Sequence, residues 1–439
     1  MELFLIKGGQ LILSLSLLIV LHELGHFIPA KLFKTRVEKF YLFFDVKFSL
    51  FKKKIGETVY GVGWLPLGGY VKISGMIDES MDTEQMSQPA QPWEFRAKPT
   101  WQRLIIMLGG VTANLVLGFL IYMMVMFVWG RTVITNDALI YGLAPSTQAQ
   151  EIGFVEGDKV LRVDGAYLED AMVINKSLLL RSPKMVEVQR ANGAVTTLSI
   201  PEYFGKTLFA SGEMIPLPPY TPAIIEQVVE LSPAAAAGIM PNDRILGVDD
   251  VAISSWVEVY KALQNRNADA VTPNIERDKV QEVITVVVAA QDSLGISFRD
   301  TRVKPQQVSY APLESMKQGF NYGYWTLFDY IAGFKFVFTK KGASQLGGFG
   351  TIGSLFPAEW NWRVFWERTA LISIILAFMN VLPIPALDGG HVVFLTYEML
   401  TGRKPHQKVL EYAQMAGLIL LLGLFVFANG NDIYRFILS

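Results

Sequence analysis

Two histidines and a glutamate lie in the first apolar segment of the chain, at the spacing His22-Glu23-Leu24-Gly25-His26. On a helix, positions i and i+4 share a face, so His22 and His26 can bind one metal ion. Glu23, beside that face, can act as a base toward water activated by the metal. Ionisable side chains inside an apolar span are costly and usually mark a functional site. The pattern therefore predicts metal-dependent hydrolysis within a membrane, and a helix with two structural histidines is the alternative.

A catalytic zinc site needs a third protein ligand, with a further position kept for water. The chain has no cysteine, and its only other histidines are His391 and His406, so a carboxylate is expected. The best candidate is Asp388, in a segment from Asn380 onward that two prolines and two glycines interrupt. Such breaks let polar groups turn into the protein interior. A helix cap is the alternative for Asp388, and we interpret His391 as a helix-face residue rather than a ligand.

The composition indicates a large apolar part. Of 439 residues, 51% are hydrophobic and 18% are charged, and the formal net charge is −1. This length accommodates a membrane region and one or two soluble domains, and the charge balance gives no reason to expect nucleic acid as a partner. The absence of cysteine excludes disulfides and thiolate ligands. No small-residue cleavage site follows the apolar run Leu11–Leu21, so we predict a retained span rather than a signal peptide.

Four segments are long and apolar enough to cross a bilayer. They are Phe4–Ile28, Leu104–Trp129, Trp366–Leu387 and Tyr412–Ala428. The stretch from Lys31 to Lys54 carries eight Lys or Arg residues, and Arg403 and Lys404 lie between the third and fourth spans. By the positive-inside rule these stretches are cytoplasmic. Both termini and the 131–365 region are therefore predicted to lie outside.

The first and third spans run in the same direction in this topology. Asp388 follows Trp366 by 22 residues, and His26 follows Phe4 by 22 residues. Both side chains are therefore expected at a similar depth, toward the cytoplasmic side of the membrane.

The aromatic segment Gly319–Phe338 has about the length of a fifth span but contains Asp329 and Lys335. Aromatic side chains favour the membrane–water interface. A fifth crossing would also move the basic loop at Arg403 outside. We therefore predict an interfacial amphipathic helix.

The outer region contains an internal repeat. The pattern from Gly153 to Asp164 returns from Gly238 to Asp249, at a constant offset of 85 residues. This period fits two copies of one domain rather than a solenoid unit. The pattern resembles PDZ domains, more closely in the second copy, and a generic small β domain is the alternative. Between the first two spans, Val59–Ile73 is predicted to form strands bent at glycines.

With these motifs together, the sequence resembles the site-2 protease family of intramembrane zinc metalloproteases, and most closely its bacterial regulator-of-sigma-E protease type with tandem PDZ domains. The resemblance covers essentially the whole chain and is most specific at 22–26 and 380–390. It implies one zinc ion per chain, with His22, His26 and Asp388 as ligands. It also implies Glu23 as the catalytic base and Asn380 as a contact to substrate near the scissile bond.

The resemblance further implies that Gly68, Gly69 and Tyr70 belong to the membrane-dipping β-hairpin of the family, whose edge strand receives extended substrate. Two motifs depart from the family pattern. The second span has Val111 where the family often has proline in Gly-Pro-x-x-Asn. The sequence Gly-Gly-Phe-Gly-Thr-Ile-Gly at 347–353 stands in place of the usual Gly-Pro-Ile form. Neither departure involves a predicted zinc ligand.

These features predict a polytopic α-helical membrane protein with four transmembrane helices, a membrane-associated β-hairpin and two extracytoplasmic PDZ-like α+β domains. The first two spans and the hairpin occupy 1–130, and the last two spans occupy 366–439. The PDZ-like domains occupy 131–220 and 221–305, and interfacial helices occupy 306–365.

The expected function is regulated cleavage of single-span membrane proteins by a zinc metalloendopeptidase of the bacterial inner membrane. Its expected partners are the lipid bilayer, trimmed anti-sigma factors or signal-peptide remnants as substrates, and peptide C-termini at the PDZ-like domains. A transporter with His22, Glu23 and Asp388 as relay groups is one alternative, but paired inverted halves are absent from the sequence. A PDZ scaffold with a non-catalytic metal site is the other, and the intact motifs argue against it.

Overall fold

A computed structural model of the chain describes residues 2–66, 68–76, 89–253, 255–264, 270–287 and 293–438. The chain divides into two compact units. Unit 1 combines Met1–Gly130 with Ser309–Ser439, and unit 2 is Arg131–Val308. All the predicted ligands therefore belong to unit 1.

The helices and strands are numbered along the chain. The helices are α1 (Glu2–Leu32), α2 (Thr100–Val128), α3 (Thr147–Glu151), α4 (Val173–Lys176), α5 (Phe204–Ser211), α6 (Pro233–Ala236), α7 (Trp256–Gln264), α8 (Pro312–Phe334), α9 (Lys340–Gln345), α10 (Phe349–Ser354), α11 (Trp362–Val381), α12 (Asp388–Thr401) and α13 (Gln407–Leu438). The strands are β1 (Val37–Leu42), β2 (Phe44–Ile55), β3 (Thr58–Leu65), β4 (Tyr70–Ile73), β5 (Arg131–Val133), β6 (Lys159–Val163), β7 (Ala166–Tyr167), β8 (Met185–Gln189), β9 (Val195–Ser199), β10 (Ala223–Val228), β11 (Arg244–Val248), β12 (Val251–Ala252), β13 (Ala270–Val271), β14 (Pro273–Arg277), β15 (Val280–Val283), β16 (Val286–Val287), β17 (Ile296–Phe298) and β18 (Gln306–Val308).

Four of the described helices are long and apolar enough to cross a membrane. They cover Leu5–Leu32, Thr100–Val128, Trp362–Val381 and Gln407–Arg435. This finding confirms the predicted number of spans. The exposed surface of α13 consists largely of Leu, Ile, Val and Phe side chains, as expected of a helix that faces lipid rather than water.

The third span is shorter than its predicted range, Trp366–Leu387. α11 ends at Val381 because residues that precede proline favour extended backbone, and Leu382 adopts it with a ψ of 143°. Two prolines in the next four residues delay the next helix until Asp388. Asp388 therefore begins a separate helix, which corrects the predicted end of the span.

α1 and α2 cross where both helices carry glycine. A Cβ built on Gly25 would lie 2.3 Å from the backbone oxygen of Gly109, and one on Gly109 would lie 1.9 Å from that of Gly25. Small residues allow two membrane helices to approach backbone to backbone. Since Gly25 lies between the two motif histidines, this crossing brings α2 directly against them.

A four-stranded mixed sheet follows α1, in the order β2-β3-β1-β4. β1 pairs in parallel with β3 and antiparallel with β4, whereas β2 and β3 form an antiparallel hairpin with Gly56 in its turn. Gly68 and Gly69 therefore lie on the connection from β3 to β4, and Tyr70 begins β4. Because β1 lies between β3 and β4 in the sheet, these three residues lie outside the β2–β3 hairpin, whereas the resemblance implies that they belong to a hairpin. Among the described strands, β4 is an edge strand with β1 as its one neighbour.

α8 covers the segment predicted to be interfacial and packs lengthwise against α2. Ser315, Gly319 and Gly323 recur every four residues and are buried. A Cβ on Gly319 would lie 2.4 Å from the Cα of Met123, and one on Gly323 would lie 3.1 Å from the ring of Phe119. One face of α8 is therefore a small-residue contact with a span, and its location at the interface stays a prediction.

Unit 2 contains two halves, each with its own sheet and its own buried apolar cluster. The first sheet has the order β7-β6-β8-β9, and the second has the order β15-β14-β11-β10-β17, with β12 beside β11. β13 pairs with β16. β5 and β18 pair antiparallel, so the first and last strands of the unit lie side by side.

The 85-residue repeat has the same local geometry in both halves. Asp158 is buried and accepts a hydrogen bond of 2.7 Å from Arg190. Asp243 is buried and accepts one of 2.6 Å from Arg277. In each half the backbone N–H three residues earlier also donates to this carboxylate. The repeated aspartate thus fixes a turn before a strand, and the PDZ identity of the halves stays a prediction.

One arginine connects the two halves of unit 2. The Arg244 guanidinium lies 3.0 Å from Glu156 in the first half and 3.3 Å from Glu276 in the second. It also lies over the ring of Tyr220, 5.2 Å from the centroid. Burial raises the pKa of the Tyr220 hydroxyl to about 12.

Candidate metal centre

Three predicted ligand atoms converge on one point in unit 1. The Nε2 atoms of His22 and His26 lie 3.3 Å apart. Asp388 Oδ2 lies 3.3 Å from the Nε2 atom of His22 and 3.4 Å from that of His26. The histidines come from successive turns of α1, and Asp388 comes from the first turn of α12. The three atoms form a nearly equilateral triangle.

The size of this triangle fits a tetrahedral zinc ion. With ligand bonds of about 2.0–2.1 Å, tetrahedral geometry separates the ligand atoms by about 3.3–3.4 Å. Asp388 Oδ2 is buried and has no hydrogen-bond partner in the part of the chain that the structure describes. A cation at the centre would satisfy this oxygen and both imidazole nitrogens. Two imidazoles and a carboxylate are also a donor set that zinc favours.

The second nitrogen of each imidazole faces α2. His26 Nδ1 lies 2.8 Å from the backbone oxygen of Ile106, and donates a hydrogen bond to it when Nε2 binds a metal. His22 Nδ1 lies 3.1 Å from Nδ2 of the Asn114 side chain. Outer hydrogen bonds of this kind fix the orientation and tautomer of metal-binding histidines.

Gly110 provides the space that the two imidazoles occupy. A Cβ at this position would lie 2.3 Å from His26 Nε2 and 2.8 Å from His22 Nε2, both far below van der Waals distance. The atoms that would be displaced are the two candidate ligand atoms themselves. The two Nε2 atoms can therefore take their places in the triangle only if residue 110 is glycine.

We expect Gly110→Ala to raise the zinc Kd by at least about 10-fold, the lower end of the cost of disturbing a ligand's support. The measurement is competition with a chromophoric chelator on the purified chain. Gly9→Ala is the matched control, because a Cβ there meets nothing within 4 Å. Equal zinc affinity in the Gly110→Ala variant and the wild type would contradict the geometry.

Asp388 is aimed at the histidines by a tight turn. A Cβ on Gly389 would lie 2.2 Å from the backbone oxygen of Leu382, and one on Gly390 would lie 2.6 Å from that of Ile384. The two glycines thus let the first turn of α12 fold back onto the preceding segment. Ala386 has a φ of 77°, in the left-handed region. This strained turn holds the carboxylate at the start of a helix.

Glu23 lies between the metal centre and the sheet. A Cβ on Gly69 would lie 3.6 Å from Glu23 Cγ and 2.5 Å from the side chain of Ile19. The backbone N–H of Val71 donates a hydrogen bond to the Glu23 carboxylate. The glutamate is therefore held at the point where α1 meets strand β4.

The other predicted substrate-binding residues lie beside this cluster rather than in it. Gly68 faces the ring of Phe44, 3.0 Å from a built Cβ. The Tyr70 hydroxyl donates to Asp45 at 2.8 Å, so its side chain lies across the sheet from β4 toward β2. Asn380 is half-buried, one residue before the end of α11. Their contacts with substrate stay predictions.

His391 lies one turn after Asp388 and lines a cavity of about 100 Å³. Arg103 and Glu398 line the same cavity and form a buried ion pair at 2.5 Å. Among the described residues, the group whose side chains are close enough to hold one metal ion is His22, His26 and Asp388, and it does not include His391. This location agrees with its interpretation as a helix-face residue.

Sequence reasoning missed the contribution of α2. Gly110 leaves the space for both imidazoles, Asn114 contacts His22, and Gly109 meets the backbone of α1 at Gly25. None of these three residues is among the predicted site residues. Two signals were available: adjacent glycines in an apolar helix, which indicate a close helix crossing, and an amide in the middle of a span, which indicates a buried hydrogen bond.

Comparison with known proteins places the chain in a family. The profile of peptidase family M50 matches residues 10–424. A Haemophilus influenzae protein named regulator of sigma E protease is 28% identical over 454 positions, which cover 98% of this chain and 99% of that protein. A Yersinia pestis protein named protease RseP is 27% identical over 457 positions, with 97% of each chain covered.

A third relative has a name that refers to the metal. A Neisseria meningitidis protein, named provisionally as a zinc metalloprotease, is 29% identical over 453 positions, which cover 97% of this chain and 98% of that protein. Its name agrees with the donor set and spacing of the triangle. The family match spans nearly the whole chain, from within the first apolar helix to within the fourth. The chain therefore belongs to peptidase family M50, the site-2 proteases, and is a membrane zinc metalloprotease.

Proposed function

We propose that this protease cuts peptide bonds within the apolar segments of single-span membrane proteins. His22, His26 and Asp388 hold one zinc ion, and Glu23 is the general base. The observation that carries the proposal is the triangle of ligand atoms at tetrahedral spacing. Two of its corners lie on a helix that is itself long and apolar enough to span a membrane.

The chemistry divides between the metal and the chain. Zinc, when bound, would supply a Lewis acid that acidifies water and polarises the scissile carbonyl. Glu23 takes the proton from the attacking water and passes it to the leaving amine nitrogen, first as base and then as acid. The hydrogen bond from Val71 holds its carboxylate in place. Asn380 donates a hydrogen bond that stabilises the oxyanion.

The substrate has to unwind before it is cut, because the hydrogen bonds of a helix shield its peptide bonds. In lipid, each backbone group that is released needs a new partner. The edge strand β4 supplies such partners, since an extended substrate can add to it as a further strand. Val71 donates a hydrogen bond to Glu23 and Gly69 lies beside it, so a strand added at this edge would run past the general base.

The topology follows from the distribution of basic residues. Both termini and unit 2 lie in the periplasm, and the metal centre lies toward the cytoplasmic side of the bacterial inner membrane. The α8 segment lies at the outer interface and against α2. The two halves of unit 2 are PDZ-like domains that exclude substrates with bulky outer domains. The substrates are single-span proteins already trimmed to a short stub, such as anti-sigma factors or signal-peptide remnants.

The size filter can be tested by removing unit 2. Deletion of residues 135–305, with a short Gly-Ser linker, retains the paired strands β5 and β18. We expect this variant to cut both trimmed and full-length single-span substrates in vesicles, while the wild type cuts only trimmed ones. If the deletion variant cuts trimmed substrate but leaves full-length substrate intact, unit 2 is not the filter.

A further inference from the structure

We propose that the basic end of the four-stranded sheet binds the phosphate headgroups of anionic phospholipids and so fixes the depth of the sheet in the membrane. This basic end consists of Lys52, Lys53 and Lys54 on β2, next to the hairpin turn. The leaflet concerned is the cytoplasmic one, a choice that rests on the proposed topology.

The sheet runs along the C-terminal half of α1. At one end, the Thr58 hydroxyl donates to the backbone oxygen of Val37 at 2.8 Å, just beyond the end of the helix. At the other end, Gly69 packs beside Ile19, since a Cβ on Gly69 would lie 2.5 Å from the Ile19 side chain. Ile19 precedes Leu32, the last residue of α1, by 13 residues. At 1.5 Å per residue this is about 20 Å along the helix. One end of the sheet therefore reaches the interface and the other reaches the depth of the metal centre.

The side chains of β2 change character along this direction. Phe48 and Leu50 are 57% and 65% exposed, and the Trp64 ring stacks on Phe48. Ser49 lies opposite Gly63 and Lys53 opposite Tyr60, with a bulge between them, so Phe48 and Lys53 are about four strand residues, or about 13 Å, apart. Half the hydrocarbon core of a bilayer is about 15 Å thick. When Phe48 lies near mid-membrane, the backbone of Lys53 is therefore about 2 Å below the headgroups, which its long side chain reaches.

The three lysines have no acidic partner among the described residues. By contrast, Lys39 on β1 pairs with Asp45, and Lys72 on β4 pairs with Glu38. Lys52, Lys53 and Lys54 are exposed and flanked by exposed Phe51 and Ile55. Unpaired cations between exposed apolar side chains are typical of a surface that meets anionic headgroups and acyl chains together. A surface facing only water would not favour Phe51 and Ile55 there.

The depth can be measured with spin labels, because the chain contains no cysteine. Labels on Phe48→Cys and Lys53→Cys are compared in vesicles for collision with oxygen and with a water-soluble nickel complex. We expect the label at 48 to favour oxygen and the label at 53 to favour nickel. Lys206→Cys, exposed in unit 2, is the aqueous control. If the label at 48 is as accessible to nickel as that control, the sheet is not inserted and the proposal fails.

Lipid selection is measured by energy transfer from a dye on Glu57→Cys, at the hairpin turn, to headgroup-labelled phosphatidylglycerol or phosphatidylcholine. We expect several-fold stronger transfer to phosphatidylglycerol, lost in the Lys52→Gln/Lys53→Gln/Lys54→Gln variant and in high salt. The matched control is the triple variant Lys176→Gln/Lys184→Gln/Lys206→Gln, with the same charge change on exposed positions of unit 2. Equal transfer to both lipids, or selection that survives in the β2 variant, would overturn the proposal. Neither readout depends on proteolysis, so failure here is separate from failure of the proposed function.

A second, independent observation concerns Asn114. When Nε2 of His22 binds a metal, its Nδ1 carries the proton and needs an acceptor. The amide nitrogen of Asn114 lies 3.1 Å from this Nδ1, and its amide oxygen is buried without a partner among the described residues. A rotation of the amide by 180° exchanges the two atoms. We infer that Asn114 is a positioning residue whose oxygen accepts from His22 in the zinc-bound state.

The test compares two variants of nearly the same size. Asn114→Leu removes the acceptor, and we expect the zinc Kd to rise by about 10–100-fold. Asn114→Asp keeps an acceptor, and we expect affinity within a few-fold of wild type. Chelator competition gives the Kd, and thermal melting without zinc shows whether each variant folds. Unchanged affinity in the leucine variant, or equally weak binding in both folded variants, would overturn the inference.

Discussion

Replacing Glu23 with glutamine is expected to reduce cleavage of a single-span substrate by about 10²–10⁴-fold, the usual contribution of general acid–base catalysis. Glutamine keeps the length of the side chain and its hydrogen bond to Val71, but it has no basic oxygen that can take a proton from water. Because Glu23 is not a corner of the ligand triangle, the variant is expected to retain about one zinc ion per chain.

The experiment measures cleavage and zinc content on the same preparation. Glu57→Gln, an exposed acid at the hairpin turn, makes the same chemical change away from the site and is expected to be fully active. Substantial cleavage by the Glu23→Gln variant would refute its role as base. Loss of zinc together with activity would mean that Glu23 belongs to the metal-binding set.

Replacing Asp388 with alanine is expected to weaken zinc binding by more than about 100-fold. Loss of an outer hydrogen bond to a ligand already costs about 10–100-fold, and this change removes a ligand. It would leave two imidazoles, which is one ligand fewer than catalytic zinc sites have. The measurement is the zinc Kd by chelator competition, with the rise in melting temperature on adding zinc as a second readout.

Asp250→Ala, at an exposed position of unit 2, serves as the control for removal of a carboxylate. It should bind zinc as the wild type does and should show the same stabilisation by zinc. If Asp388→Ala also binds zinc normally, Asp388 is a helix-capping residue, and the third ligand has to be sought elsewhere.

The convergence of His22, His26 and Asp388 could be predicted from sequence because its constraint is local or chemical. The spacing of His22 and His26 places both on one helix face, and the shortage of histidine and cysteine favours a carboxylate as the third ligand. The four spans could also be predicted from sequence, since length and hydropathy alone define them. Each of these arguments needs only one segment at a time.

The support of the site was harder to predict because it depends on contacts between distant segments. The crossing of Gly25 with Gly109 depends on how α1 and α2 dock, and a pair of glycines does not say which helix it will meet. The same holds for the Ile106 oxygen, a backbone group that any residue could supply. The location of Gly68–Tyr70 outside the β2–β3 hairpin could not be predicted for a related reason: strand order is not local, and β1 inserts between β3 and β4.

The most direct test is to map the bond cut in a trimmed single-span substrate reconstituted in vesicles with the purified protease, by mass spectrometry of both products. We predict one or a few cuts within the apolar segment of the substrate, present with the wild type and absent with Glu23→Gln. Cuts confined to the polar flanks, or equal cutting by the Glu23→Gln variant, would contradict intramembrane proteolysis at this zinc site.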